Sequence, residues 1–287
     1  MTLIVLTPDL PVTVLATAQP NLWQAFLMGM IQGLTEFLPI SSTAHLRILP
    51  ALLGWPDFGV SFSAVIQLGS VVAVLIYFAR DLRQVATGTI ASVRERKWNT
   101  PEFRTFVGVM LGTLPIVFIG GGIKYFFGSP PRQLTVIGIA LIVVGGLMAV
   151  GDRLGKRERS IHQIQIADGL LVGLAQALAI IPGVSRSGAT ITTGLFLGMK
   201  REMAARFAFL LGIPALTLAG FVEFISDYST EGIPAQLVGT ASALLFSYLS
   251  IDWLLKFLQK RSTDVFVAYR IAMGVFLILS AFTGLIR

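Results

Sequence analysis

Apolar runs long enough to cross a bilayer recur at about 61–79, 104–124, 134–151, 207–222, 234–255 and 265–286, and they predict six transmembrane helices. Basic residues fall between them. Arg80, Arg83, Arg94, Arg96, Lys97 and Arg104 mark one connecting loop as cytoplasmic, and Arg153, Lys156, Arg157 and Arg159 mark another. Lys200, Arg201 and Arg206 mark a third, and Lys256, Lys260 and Arg261 a fourth. On the opposite side stand Asp57, Glu223, Asp227 and Glu231, with Lys124 and Arg132 as the basic exceptions.

Two more apolar stretches, about 22–53 and 166–199, cannot be crossings if these loops keep their sides. The second lies between two cytoplasmic loops, so it enters and leaves on one side as a re-entrant helical hairpin. The first lies between an N-terminus free of Lys and Arg and a loop carrying only Asp57, so it is a hairpin entering from outside. Pro39 breaks one and Pro182-Gly183 the other, and non-helical backbone at that depth is tolerated where it is buried in protein or lines a cavity. Gly29 to Gln32 and on to Ser42 matches Gly173 to Gln176 and on to Ser185 with a one-residue gap. The expected fold is therefore an all-α polytopic membrane protein of six transmembrane helices plus two re-entrant hairpins. Its halves, about 22–151 and 166–286, form an inverted repeat in a single integral membrane domain over 1–287. Residues 1–20 are expected to be an irregular N-terminus that is not cleaved, because Val14 to Ala18 resembles a signal-peptide end without the basic region that precedes one.

Composition agrees and narrows the chemistry. Over 287 residues the chain is 54% hydrophobic and 13% charged, which is too apolar for a soluble domain of this length. It has no cysteine and two histidines, so thiolate sites and multi-histidine metal cages are excluded and any metal is held by oxygen. The net charge of +7 is spread over membrane-flanking loops, which argues against nucleic acid as a partner.

Ionisable groups inside apolar stretches are the remaining signal, since a charge at bilayer depth costs about 3 kcal/mol and is kept where it works. Gln32 and Glu36 share a helix face, and Ser41, Ser42 and Thr43 start the next helix after Pro39, with His45 behind them. A hydroxyl-rich helix start of this kind suits anions, phosphates above all. In the second hairpin Arg186 stands among Ser185, Ser187 and Thr190, and its planar fork suits phosphate oxygens. Together the hairpins describe a diphosphate site. Glu36 is a ligand for Mg²⁺ or Ca²⁺, a general base or the ion-pair partner of Arg186. His45 is base, acid, nucleophile or a hydrogen-bonded structural residue. Ser42 is nucleophile, close phosphate ligand or helix cap. Arg186 is the clamp on the transferred phosphoryl group, and Gln32, Ser41, Thr43, Ser185, Ser187 and Thr190 complete the phosphate-binding set. Gln67 and Gln176 read as interhelical hydrogen-bond partners, His162 as an exposed loop residue, and Asp252 with Lys256 as a surface pair.

Gln32 to Glu36 and Pro182 to Thr190 are also the motif positions of a known family: the chain resembles an undecaprenyl-diphosphatase of the bacitracin-resistance type over nearly its whole length, including Phe62 to Gly69 and Phe207 to Pro214. The resemblance implies hydrolysis of a long-chain prenyl diphosphate in the bacterial cytoplasmic membrane, recycling the lipid carrier for peptidoglycan. It further implies an active site open to the outer face, dependence on a divalent cation, room for a homodimer, and bacitracin acting on the same lipid. Gln32 stands where the pattern also allows an acid, which leaves Glu36 as the one carboxylate of its motif. The rival reading is a transporter or flippase for a phosphorylated lipid, because inverted repeats with helices broken at mid-depth are a common transporter design.

Overall fold

The computed structural model describes residues 19–127, 133–227 and 232–285, and all the regular structure in them is helical apart from one isolated bridge between Arg159 and Met199. Most of the 1–20 segment, Arg132 and Glu231, and the side chains of Lys124, Glu223 and Asp227 lie outside the described part.

The helix α1 (Leu22–Phe37) opens with a reciprocal cap, in which Asn21 and Gln24 each accept the other's backbone N–H at 2.9 Å. It stops where Pro39 forbids the next turn, and α2 (Ser42–Leu52) restarts after Ser41. Next come α3 (Gly59–Tyr77), α4 (Ala79–Arg94), α5 (Pro101–Phe127) and α6 (Leu134–Leu154). The second half runs α7 (Ile166–Ala177), α8 (Arg186–Phe196), α9 (Arg201–Asp227), α10 (Ile233–Lys260) and α11 (Asp264–Thr283). Five of these are long and apolar enough to cross a membrane, or six if the bent pair α3 and α4 counts as one span, so the chain is a multi-pass membrane protein.

The loops are shorter than expected. Arg80, Arg83 and Arg94 belong to α4, which turns 64° from α3, and not to a loop, while Arg104, Arg153, Arg201, Arg206, Lys256 and Lys260 stand in the end turns of α5, α6, α9 and α10. Thr89 and Ser92 of α4 are buried, and Thr89 donates to the carbonyl of Glu102 at the start of α5, whereas Ile90 and Val93 are exposed. An amphipathic helix of this composition was hidden by its arginines.

Packing pairs distant segments. α1 lies on α10 and α7 on α5, each through small residues: a Cβ on Gly29 would fall 2.1 Å from the Gly239 carbonyl oxygen, and one on Gly173 would fall 2.1 Å from that of Gly112. Removing side chains at these crossings lets backbones meet, the usual means of tight association in an apolar solvent. Phe37, Phe78, Phe207 and Phe209 fill the core between α1, α3 and α9, with Phe37 set edge-on to Phe209. Near one end, buried Asp152 of α6 accepts from Arg201 at 2.6 Å and from the backbone and hydroxyl of Thr263 at 2.8 and 2.9 Å, tying α6, α9 and α11 together.

Candidate active site at two facing helix breaks

Both breaks end in a serine with a left-handed backbone: Ser41 has φ 75° and Ser185 φ 68°. A non-glycine residue held there costs about 1–3 kcal/mol and persists where its surroundings over-determine it. Each of these serines occupies the N-cap position of the helix that follows, Ser185 with its side chain accepting from the Gly188 N–H and Ser41 without such a bond, so the N-termini of α2 and α8 point free N–H groups into the same region.

There the two halves join. Arg186 Nη2 lies 3.1 Å from Glu36 Oε1, and both side chains are nearly buried. Glu36 Oε2 accepts from Ser42 Oγ at 2.6 Å and from Gln32 Nε2 at 3.1 Å. One carboxylate therefore gathers a cation, a hydroxyl and an amide. Beside it opens a cavity of about 180 Å³ whose polar wall is Glu36, Ser41, Ser42, Thr43, Gln67, Ser185 and Arg186. Its other wall is apolar: Ile116, Ala179, Ile181, Ala215, Leu216 and Ala219.

Some residues assigned to phosphate by sequence turn elsewhere. Ser187 donates to the carbonyls of Glu36 and Leu38 at 3.3 and 3.0 Å, and Thr190 donates to the Arg186 carbonyl at 2.8 Å. Ser187 thus stitches one break to the other, and Thr190 ties down its own helix. Gln32 is buried against Glu36, away from the cavity lining. His45 also stands outside that lining: its Nδ1 donates to the Ser41 carbonyl at 2.8 Å, and its Nε2 accepts from the Tyr269 hydroxyl at 2.5 Å with the rings stacked. A carbonyl can only accept, which sets the tautomer. The site residues that share the cavity are therefore Glu36, Ser41, Ser42, Thr43, Ser185 and Arg186.

Sequence reasoning assigned two glutamines to interhelical hydrogen bonds that the structure does not show among the described residues, and it passed over Gly212, Tyr269 and Arg270. Gln67 lines the cavity instead of bridging helices, and Gln176 is fully buried with both amide atoms unpartnered. Gly212 of α9 seats Arg186, because a Cβ there would lie 1.9 Å from Nη1. Tyr269 holds His45, and next to it Arg270 is fully buried. An arginine well inside an apolar span was the available signal for the last. His162 is exposed and Lys256 pairs with Asp252 at 2.7 Å, as their sequence context suggested.

For a metal the donor set is sparse. Among the described residues no group of three acidic or histidine side chains converges. The cavity does offer hard oxygens, from the Glu36 carboxylate and its neighbouring hydroxyls. This fits an Mg²⁺-like ion held jointly with phosphate oxygens of a ligand, and not a cage made by protein alone.

Helices and cavity together make this a multi-pass membrane protein, helical among the described residues, with a polar pocket between two helix breaks. A family model described as bacitracin resistance protein BacA matches residues 25–276. The chain belongs to that family. An undecaprenyl-diphosphatase of Synechococcus sp. (strain JA-2-3B'a(2-13)) is 58% identical over 94% of this chain and 98% of its own length. Proteins of the same name from Trichormus variabilis (strain ATCC 29413 / PCC 7937) and Trichodesmium erythraeum (strain IMS101) are 50% and 45% identical over 94% and 96% of this chain, covering 87% and 91% of their own lengths.

Proposed function

We infer that this chain hydrolyses undecaprenyl diphosphate to undecaprenyl phosphate and inorganic phosphate, the activity for which its relatives are named. One observation carries the reading: a carboxylate, a guanidinium and a row of hydroxyls from two opposed helix breaks share a cavity whose far wall is apolar. The polar wall suits a diphosphate, and the apolar wall suits the first units of a prenyl tail.

In this reading Arg186 takes the terminal phosphoryl group and steadies its developing charge. That exchange frees Glu36 to accept the Ser42 proton. Ser42 Oγ then attacks the terminal phosphorus, the bond to the bridging oxygen breaks, and the lipid leaves as its monophosphate. Glu36 returns its proton to the departing bridging oxygen, and as a carboxylate again it deprotonates a water that attacks the phosphoserine, the proton passing back to Ser42 Oγ as phosphate leaves. His45 keeps the strained Ser41 in place, and backbone N–H groups of α2 and α8 contribute to the anion cradle. Glu36 and the hydroxyls would hold a divalent cation together with the substrate, and that ion supplies charge neutralisation.

The finer architecture belongs to the same proposal: six crossings, two re-entrant hairpins and an inverted repeat. Exchanged packing supports it, since the first helix of each half lies on a long helix of the other, and the equivalent serines 41 and 185 share one unusual backbone conformation. These two serines align 144 residues apart, without the gap. The protein sits in the bacterial cytoplasmic membrane with the site open to the outer face. There its turnover removes the diphosphate lipid on which bacitracin acts, which accounts for the family's description.

Purified protein in detergent should release phosphate from a long-chain prenyl diphosphate. Movement of lipid across liposomes without phosphate release would instead favour a flippase. Ser42→Ala should lower kcat at least about 10³-fold, and rapid quenching with a labelled terminal phosphate should leave label on wild-type Ser42. Full activity in that variant would make water the direct attacker.

A further inference from the structure

Arg270 is the largest fully buried side chain among the described residues, and no carboxylate pairs with it. Its guanidinium spends every donor group on backbone carbonyls. Nη1 donates to Pro39 of the first break at 3.0 Å, and Nη2 donates to Gly183 and Val184 of the second at 3.2 and 2.9 Å. Nε reaches Leu141 of α6 at 3.2 Å, and Nη2 also approaches Ala140 at 3.4 Å.

Carbonyls at a helix break have lost their helical partners, and at membrane depth water is not there to replace them. One rigid planar fork satisfies carbonyls of both breaks at once. The fold makes room for it: a Cβ on Gly188 would lie 2.9 Å from Nη1, and one on Gly145 would lie 3.3 Å from the Arg270 Cβ. The backbones of α6 and α11 also meet closely at Gly138 and Gly274, which brings Arg270 within reach of the breaks.

We propose that Arg270 is a positioning residue that sets the register between the two breaks, and through it the distance from Arg186 to Glu36 and Ser42. The carbonyls it grips lie three residues or fewer from Ser42 and from Arg186, so a shift at either break moves a member of the site. Neighbouring Tyr269 holds His45, which makes this pair of α11 residues a clasp over both breaks. The proposal rests on the phosphatase reading.

Full-length protein with Arg270→Lys or Arg270→Met tests it, with kcat and KM for a long-chain prenyl diphosphate referred to the folded fraction. A lysine keeps charge and bulk but cannot bridge both breaks as a fork does. Displacing reacting groups by about 1 Å costs about 100-fold, so Arg270→Met should lose about that in kcat, and Arg270→Lys about tenfold, with KM within about threefold. A residue that served folding alone would lower the folded yield or Tm and leave kcat per folded molecule unchanged. That result would overturn the proposal, and so would failure of both variants to fold. If wild-type protein releases no phosphate, the phosphatase reading itself falls, a separate outcome.

Discussion

Arg186→Met should abolish turnover, with a loss of at least about 10³-fold in phosphate release, the scale on which an arginine acts on a transferring phosphoryl group. It should also destabilise the protein by about 3–5 kcal/mol, because Glu36 would stay buried without its cation. The two effects separate in a double variant. Glu36→Gln with Arg186→Met removes both charges and keeps comparable volumes, so thermal unfolding in detergent should return most of the way to wild type while phosphate release stays absent. Glu36→Gln alone should be inactive as well, since an amide cannot take the Ser42 proton and leaves Arg186 unpaired. Recovery of activity in the double variant would show that the pair is a structural bridge, and the chemistry would then have to be sought elsewhere in the cavity.

Gly212→Ala should cut kcat by about 100-fold even though the substitution by itself favours the helix. Alanine is favoured over glycine inside a helix by about 1 kcal/mol. The added methyl, however, would lie 1.9 Å from Arg186 Nη1, so the guanidinium must move. It has little freedom to do so while it is held by Glu36 at 3.1 Å, and a displacement of about 1 Å is worth about two orders of magnitude in rate. Gly122 on α5 is the control, because a Cβ added there would meet no atom within 4 Å, and Gly122→Ala should retain activity. Equal activity in the two variants would mean that the Arg186 side chain tolerates relocation, contrary to a clamp.

Hydropathy alone located the five helices long enough to cross a membrane, the bent pair α3 and α4 beside them, and both breaks, since apolar length and proline are local properties of the chain. The same local logic singled out Glu36, Ser42 and Arg186, which the fold brings to one cavity, because an ionisable or hydroxyl group in an apolar run stands out wherever the chain later goes. It mistook α4 for a loop, where arginines lowered the hydropathy of a helix that packs one face on α5. Which hydroxyls meet the cavity was beyond it. Ser187 and Thr190 are of the same type as Ser185, yet helix rotation turns them to backbone carbonyls. His45 lies one turn from Ser42 and is drawn instead to Tyr269, a residue 224 positions away. Residue order therefore dictates where the chain is apolar, where it must break and which chemical groups sit at the breaks. Which of those groups face one another follows from three-dimensional packing, because rotation about a helix axis and the register between two breaks depend on contacts from α6, α9 and α11, which are remote in sequence from the motifs.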